Sequence, residues 1–236
     1  MTVKIVTDSV SDLPLQIAEE LGITIIPAYI RFGTETYRNG IDLTTEQFYN
    51  KLRQSKVHPS TAVPSPGVFA EVYDKLAKET DEILVITVSR KLGGINEVAL
   101  QAIGLMEEKC RVEVVDSLAG AMAEGLIVIA AAKAANGGAS LDEVISLTKR
   151  NIPRSKIYFS FDTLEYLKRG GRIGRAQAFL GSVLRVNPIL TLKDGEAYPA
   201  ARERSRAKAI DCLYRFATSF SNIEEMALED ATTPDE

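Results

Sequence analysis

The chain has no tryptophan, one histidine (His58) and two cysteines (Cys110 and Cys212) in 236 residues. Each scarcity removes a class of function. One histidine cannot build a histidine-rich metal site. Two isolated cysteines give neither metal-ligand spacing nor a disulfide framework. Without tryptophan the strongest aromatic platform for stacking a base or sugar is missing, which leaves eight Tyr and eight Phe. No apolar run reaches the roughly 18 residues of a membrane helix. The opening MTVKIVTDS lacks the charged head and long apolar stretch of a secretory leader. A reducing, cytoplasmic setting is therefore expected. Charge of one sign is also scarce. The net charge is −4, and the last fifteen residues hold six acids and no base, so the preceding residues carry 28 bases against 26 acids. Such a balance argues against a polyelectrolyte partner, nucleic acid included, and against more than transient membrane contact.

What remains is 45% hydrophobic and 25% charged, an ordinary globular composition. Val3–Val6 alternates like a strand and runs into Thr-Asp-Ser. Asp12 is placed to cap a helix with Pro14 in its first turn and Gly22 at its end. Ile23–Ile30 reads as a second strand, and Thr44-x-x-Gln47 as a capping box for a helix through Arg53. The proline-rich stretch 56–67 reads as a loop, and Val68–Ala77 as an amphipathic helix. Glu82–Val88 is apolar enough for a strand buried on both faces. It leads to Ser89 and to Gly93-Gly94, then to a helix as far as Glu108. Val112–Val115 is a further strand, Ala119–Ala135 an alanine-rich helix, and Ser140-x-x-Glu143 starts another. This alternation predicts an α/β fold, a parallel sheet flanked by helices, over residues 1–155. Residues 156–236 predict a smaller α+β domain. It holds a strand at Ile157–Phe161, a helix at Thr163–Arg169 and apolar helical spacing over Ala176–Leu184. A hairpin around Lys193-Asp194-Gly195-Glu196 and a helix over Ser205–Phe220 follow, with a last strand at Ile223–Leu228.

Ser9, Ser89 and Ser117 follow three predicted strand ends, where open parallel sheets bind ligands, and suggest a polar end to a cleft. Gly93-Gly94 either cradles an anion at a helix start or is a tight turn. No G-x-S-x-G, Walker or G-x-G-x-x-G motif is present. Ser205-x-x-Lys208 has the spacing of a serine–lysine pair but sits on a solvated helix face. Asp8, Asp12 and Asp116 are acids near strand ends, better explained as loop organisers than as metal ligands. KRGGRIGR (168–175) lacks interleaved aromatics, so it reads as a structured turn whose Arg169, Arg172 and Arg175 clamp an anion or an acidic partner. Together these describe a greasy body with one anionic head and no general base.

Several segments together resemble the DegV family of bacterial fatty-acid-binding proteins. They are VTDSVSDLP (6–14), Ser60-Thr61-Ala62-Val63-Pro64-Ser65-Pro66, ITVSRKLGG (86–94), the long TLEYLKRGGRIGRAQAFLGSVL (163–184) and NPILTLKDGE (187–196), with Arg204 and Arg206 beyond. The resemblance implies a non-catalytic carrier that holds one long-chain fatty acid, such as palmitate, between a larger and a smaller domain. Its carboxylate would be presented to a fatty-acid kinase for acyl-phosphate formation, with no cofactor. By the same resemblance Thr61 is a carboxylate ligand and Arg172 lies near the head group and the kinase-docking face. Ser9, Gly93 and Gly94 complete the expected ligand-binding set, and Phe179, Leu180, Val183 and Leu184 the tail channel.

The chain departs from the family at Ala62, which replaces a hydroxyl. It departs again at Gly93, where the family has a serine ligand, and at Ile95-Asn96, which replace Thr-Tyr. Family members continue into a further helix and strand with a Gly-Thr-His motif that has no counterpart here, so the smaller domain is expected to be truncated. The substitutions at 62 and 93 motivate an alternative, a degenerate member acting as a regulatory or interaction protein without lipid.

Overall fold

A computed structural model describes residues 2–180 and 186–231. From the amino end the chain forms β1 (Lys4–Asp8), α1 (Leu15–Leu21), β2 (Ile23–Ile26), β3 (Tyr29–Phe32) and β4 (Glu35–Arg38). Then come α2 (Thr45–Gln54), β5 (Ser60–Ala62), α3 (Pro66–Ala77), β6 (Glu82–Thr87), α4 (Ile95–Ile103) and β7 (Arg111–Asp116). The helices α5 (Met122–Asn136) and α6 (Leu141–Asn151) follow. After them lie β8 (Tyr158–Ser160), α7 (Glu165–Arg169), the hairpin β9 (Asn187–Lys193) and β10 (Glu196–Glu203), and α8 (Arg206–Thr218).

A four-stranded parallel sheet of order β2-β1-β6-β7 forms the main layer. Alternation decides which helix each strand side chain meets. Ile5, Leu84 and Ile86 pack with Ala18, Ile127, Val128, Ala131 and Leu141, from α1, α5 and α6. Val6, Ile83 and Val85 point the other way, onto Phe69, Tyr73, Ala99 and Ala102 of α3 and α4. A strand buried on both faces has no polar side to show, which is why EILVIT reads as a continuous apolar run. The antiparallel sheet β4-β3-β5 sits between β2 and α3 in the chain. A second antiparallel sheet, β10-β9-β8, carries the smaller part with α7 and α8. The two-part α/β architecture is the one expected from the sequence.

Several element boundaries differ from expectation. Ile23–Ile30 is not one strand. Pro27 lacks an N–H for a ladder, so the chain leaves the parallel sheet and begins β3 at Tyr29. The expected loop 56–67 contributes β5, paired with β3. Asp12 caps nothing. It sits in the left-handed region (φ 50°) and Pro14 is the residue before α1. The helix after Gly94 stops at Gly104, short of Glu108. Gly174–Phe179 is a 3₁₀ segment, tighter than the expected helix, and the rest of 176–184 beyond Leu180 lies outside the described residues. Ile223–Leu228 forms no strand. Its acids are drawn onto the helical layer, with Glu224 on Arg154, Glu225 on Lys133, and Glu229 accepting from the Met122 N–H at 2.9 Å.

Candidate functional site

The order β2-β1-β6-β7 fixes where a cleft can open. From β1 the chain crosses to β2 on one side, whereas β6 lies on the other, so the loops after β1 and β6 diverge at their carboxyl ends. Ligands of open α/β sheets lie in such crevices. Asp8 holds its two walls together. Its carboxylate accepts from the Val10 N–H at 2.9 Å and the Val88 N–H at 2.8 Å. Burial raises its pKa to about 6, against the lowering effect of those two N–H groups.

The three serines at strand ends are each hydrogen-bonded within the protein, Ser117 in its own loop and Ser9 and Ser89 to distant segments. Ser9 Oγ accepts from the Ala28 N–H (3.0 Å) and from Asn39 Nδ2 (3.1 Å), so it ties the end of β1 to the start of the β3–β4 hairpin. Ser117 Oγ accepts from the Ala119 N–H at 3.1 Å. Ser89 Oγ donates to the Gly195 carbonyl at 2.7 Å, fixing the tip of the β9–β10 hairpin onto the larger part. Such bonds account for their position as well as a ligand would.

The turn from Ser89 to Gly94 forms one lip of the cleft. Leu92 and Gly93 donate N–H to the Ser89 carbonyl at 2.8 and 3.1 Å. Gly94 precedes α4 without a side-chain cap, so the first N–H groups of that helix form an uncapped positive end. A Cβ at Gly93 would meet nothing within 4 Å, and one at Gly94 would touch Val63 Cγ1 at 3.9 Å. Val63 is two residues past Thr61, which pairs with Ile30 on the exposed edge of β5. Thr61 has no hydrogen-bonded side-chain partner among the described residues. Arg172 reaches the same turn from the smaller part. Its Nε donates to the Leu92 carbonyl at 2.9 Å and its Nη1 to the Gly170 carbonyl. His58 stacks on Tyr166 of α7 with centroids 5.5 Å apart, a second contact between this lip and the smaller part. Gly94 thus lies near Val63, two residues past Thr61, and Arg172 reaches Leu92, the neighbour of Gly93. Ser9 lies at the end of β1, bonded to Ala28 and Asn39.

The arginines of KRGGRIGR do not act as a set. Arg169 pairs with Glu165, Arg175 pairs with Glu196 at 3.2 Å, and Arg172 alone turns toward the lip. Positive φ at Gly171 (73°) lets the loop double back for this. Ser205 caps α8, accepting from the Lys208 N–H, so the serine–lysine spacing is a helix start.

Beside Arg172 lies an apolar surface that is only part covered. Leu164, Ala176, Leu190 and Ala197 are buried. Phe159, Phe161, Leu167, Ile173, Phe179 and Leu180 pack around them half exposed. The expected tail residues Val183 and Leu184 lie outside the described residues. Two cavities, about 160 Å³ beneath Val3 and Ile5 and about 440 Å³ beside α3, lie away from the 89–94 turn.

Sequence reasoning missed Glu124. It is fully buried in the first turn of α5, accepts from Thr7 Oγ1 at 3.1 Å, and leaves Oε2 without a partner. Burial, together with the charges of Asp8, Asp12 and Asp116, pushes its pKa well above the ordinary range. The signal was present: one acid inside the apolar run MAEGLIVIAAA. Among the described residues no cluster of acids, cysteines or histidine has the arrangement of a metal site.

A family profile described as an uncharacterised protein family, DegV, matches residues 2–230. A DegV domain-containing protein of Caldanaerobacter subterraneus is 38% identical over 208 residues, 88% of this chain and 74% of the relative. A solved DegV family protein of Thermus thermophilus, described by its fatty-acid binding, superposes with a TM-score of 0.85 at 37% identity, over 93% of this chain and 78% of that one. DegV of Bacillus subtilis, described as a fatty acid binding protein, superposes with a TM-score of 0.84 at 32% identity, over 93% and 78%.

Proposed function

The chain belongs to the DegV family, and we propose that it is a non-catalytic, cytoplasmic binding protein for a long-chain fatty acid. The carboxylate would sit between the Thr61 hydroxyl and the Gly93-Gly94 turn at the uncapped start of α4. The tail would lie against Phe159, Phe161 and Leu167 of the smaller part. The bound acid would be presented there to a fatty-acid kinase, which would form the acyl phosphate. In this reading residues 1–155 supply the head-group loops and 156–236 the floor.

One observation carries the reading. The smaller part carries half-buried apolar side chains around a small core, and its Arg172 reaches the turn before the uncapped start of α4 in the larger part. A head of one negative charge with an alkyl body satisfies both at once. The solved relatives described as binding fatty acids share this fold over 93% of the chain.

The test is organic extraction of protein purified from a bacterial host, followed by mass spectrometry. Saturated or monounsaturated C14–C18 acids near one per chain are expected. Protein that extracts clean and also fails to take up added palmitic acid removes the reading and leaves a family member without lipid.

A further inference from the structure

The turn that forms the head-group lip belongs by sequence to the larger part, but the smaller part holds it at two points. Ser89, at its start, donates to the Gly195 carbonyl at the hairpin tip. Leu92, near its end, receives the Arg172 guanidinium on its carbonyl at 2.9 Å. The hairpin tip fits closely: Gly195 has φ 82°, and a Cβ there would lie 2.3 Å from Ser89 Oγ. Between the two points the Leu92 and Gly93 N–H groups turn inward to the Ser89 carbonyl. A carbonyl taken by an arginine fixes its peptide plane, and the next N–H, that of Gly93, lies in the same plane. Glycines at 93 and 94 would otherwise leave this turn free to reorient.

The geometry points to a clamp: Arg172 is a positioning residue that sets the Gly93-Gly94 amides through the Leu92 carbonyl, and the head-group lip is formed only when the smaller part is docked on it. This inference rests on the fatty-acid reading for what the lip holds, though not for the clamp itself. Two of the guanidinium nitrogens are spent on backbone carbonyls, those of Leu92 and Gly170. Planar two-point donation of this kind is something a lysine ammonium reproduces poorly.

The experiment pairs two readouts on Arg172→Ala and Arg172→Lys. The first is amide hydrogen exchange at Leu92 and Gly93, with Ala99 and Ala102 of α4 as references. The second is displacement of a pyrene-labelled C16 acid by palmitic acid, at low and at high salt. The clamp predicts exchange about fivefold faster at Leu92 and Gly93 in both variants, the worth of one modest hydrogen bond, with the α4 references unmoved. It predicts a loss of acid affinity of about the same factor in both, at either salt concentration. Unchanged exchange at Leu92 and Gly93 overturns the clamp whatever the affinities do. Faster exchange everywhere, references included, also overturns it, because the arginine then only stabilises the fold. Affinity retained in Arg172→Lys, lost in Arg172→Ala, and equalised by salt would make Arg172 a direct ion-pair partner and remove its positioning role. If exchange responds as expected while the wild-type protein displaces no probe, the clamp stands and the fatty-acid reading falls.

Discussion

β6 runs through the middle of the parallel sheet with Ile83, Leu84, Val85 and Ile86 all at 0% exposure. Its counterpart in the smaller sheet, β9, buries Ile189 and Leu190 but leaves Thr191 and Leu192 half exposed. The contrast follows from what covers each sheet. Helices cover both faces of the parallel sheet, so in each of its two clusters the buried side chains outnumber the half-buried ones, the reverse of the smaller core. The antiparallel sheet has α7, α8 and the 3₁₀ segment, and six aliphatic and aromatic side chains around its small core stay half open. A core left part open in this way gains from whatever covers it, and in the proposed function an alkyl chain does so. Leu84→Ala and Phe161→Ala break the comparison most directly. The first leaves a closed cavity and should cost about 2–5 kcal/mol. The second removes a half-buried ring and should cost about 1–2 kcal/mol in lipid-free protein. Urea unfolding measures both. Added palmitic acid should raise the penalty at Phe161 and leave that at Leu84 unchanged. Equal penalties without lipid, or no response at Phe161, would mean that the two cores are finished alike.

The closed part has one weak point of its own. Glu124 is buried in it with Oε2 unpartnered among the described residues, bonded to Thr7 and close enough to Asp8 for that charge to act on it. Both carboxyls have raised pKa values in the folded protein, so both favour the protonated native state. The sign follows: the native state binds more protons than the unfolded chain, and stability falls as pH rises from the unfolded value through the folded one. For Asp8 that window runs from 3.8 to about 6. For Glu124 it begins near 4.5 and extends further up. Glu124→Gln keeps an acceptor for Thr7 and cannot ionise. Its urea midpoint should fall less steeply than wild type above the Asp8 window, where Glu229 still contributes up to about pH 7, and at pH 8 it should exceed wild type. A variant that tracks the wild-type pH profile would mean Glu124 is not the buried acid responsible. Among the described residues the hairpin β9–β10 carries no carboxyl with a raised pKa, so it should show no matching pH dependence in exchange.

The same contrast explains what could be read from the sequence. The parallel sheet was legible because fully buried strands are apolar throughout and alternate with helical patterns, one of them announced by the Ser140–Glu143 capping box. The smaller sheet was legible mainly through its hairpin, where Asp194-Gly195 takes positive φ at both positions. The break at Pro27 was written in the sequence and outweighed by the apolar residues around it. The short β5 was not, since three residues with one partner leave no period to detect. Asp12 shows a limit of another kind, because a capping residue and a left-handed aspartate look alike in sequence. For the site, hydroxyls at strand ends were read as a polar cleft, yet Ser117 bonds its own turn, Ser9 the start of the β3–β4 hairpin and Ser89 the tip of the β9–β10 hairpin. The role of Leu92 in meeting Arg172 was invisible, since a backbone carbonyl carries no signature in a sequence.

The smallest structural change promises a clear functional reading. Gly93 is not in the left-handed region, and a Cβ there meets nothing within 4 Å. Gly93→Ser should therefore alter thermal stability by less than about 0.5 kcal/mol, with any gain coming from a less flexible unfolded chain. Its hydroxyl would add a second side-chain donor at the lip that Thr61 already borders. One added hydrogen bond to a charged group should tighten palmitic acid binding about tenfold, measured by displacement of a labelled acid. The methyl ester, which has no charge to receive it, should gain less. A stable variant with unchanged affinity for both would place the head group elsewhere. The open floor of the smaller part would then need another occupant. A gain confined to the free acid would tie the closed and the open halves of the molecule to a single ligand, its head held by the first and its tail by the second.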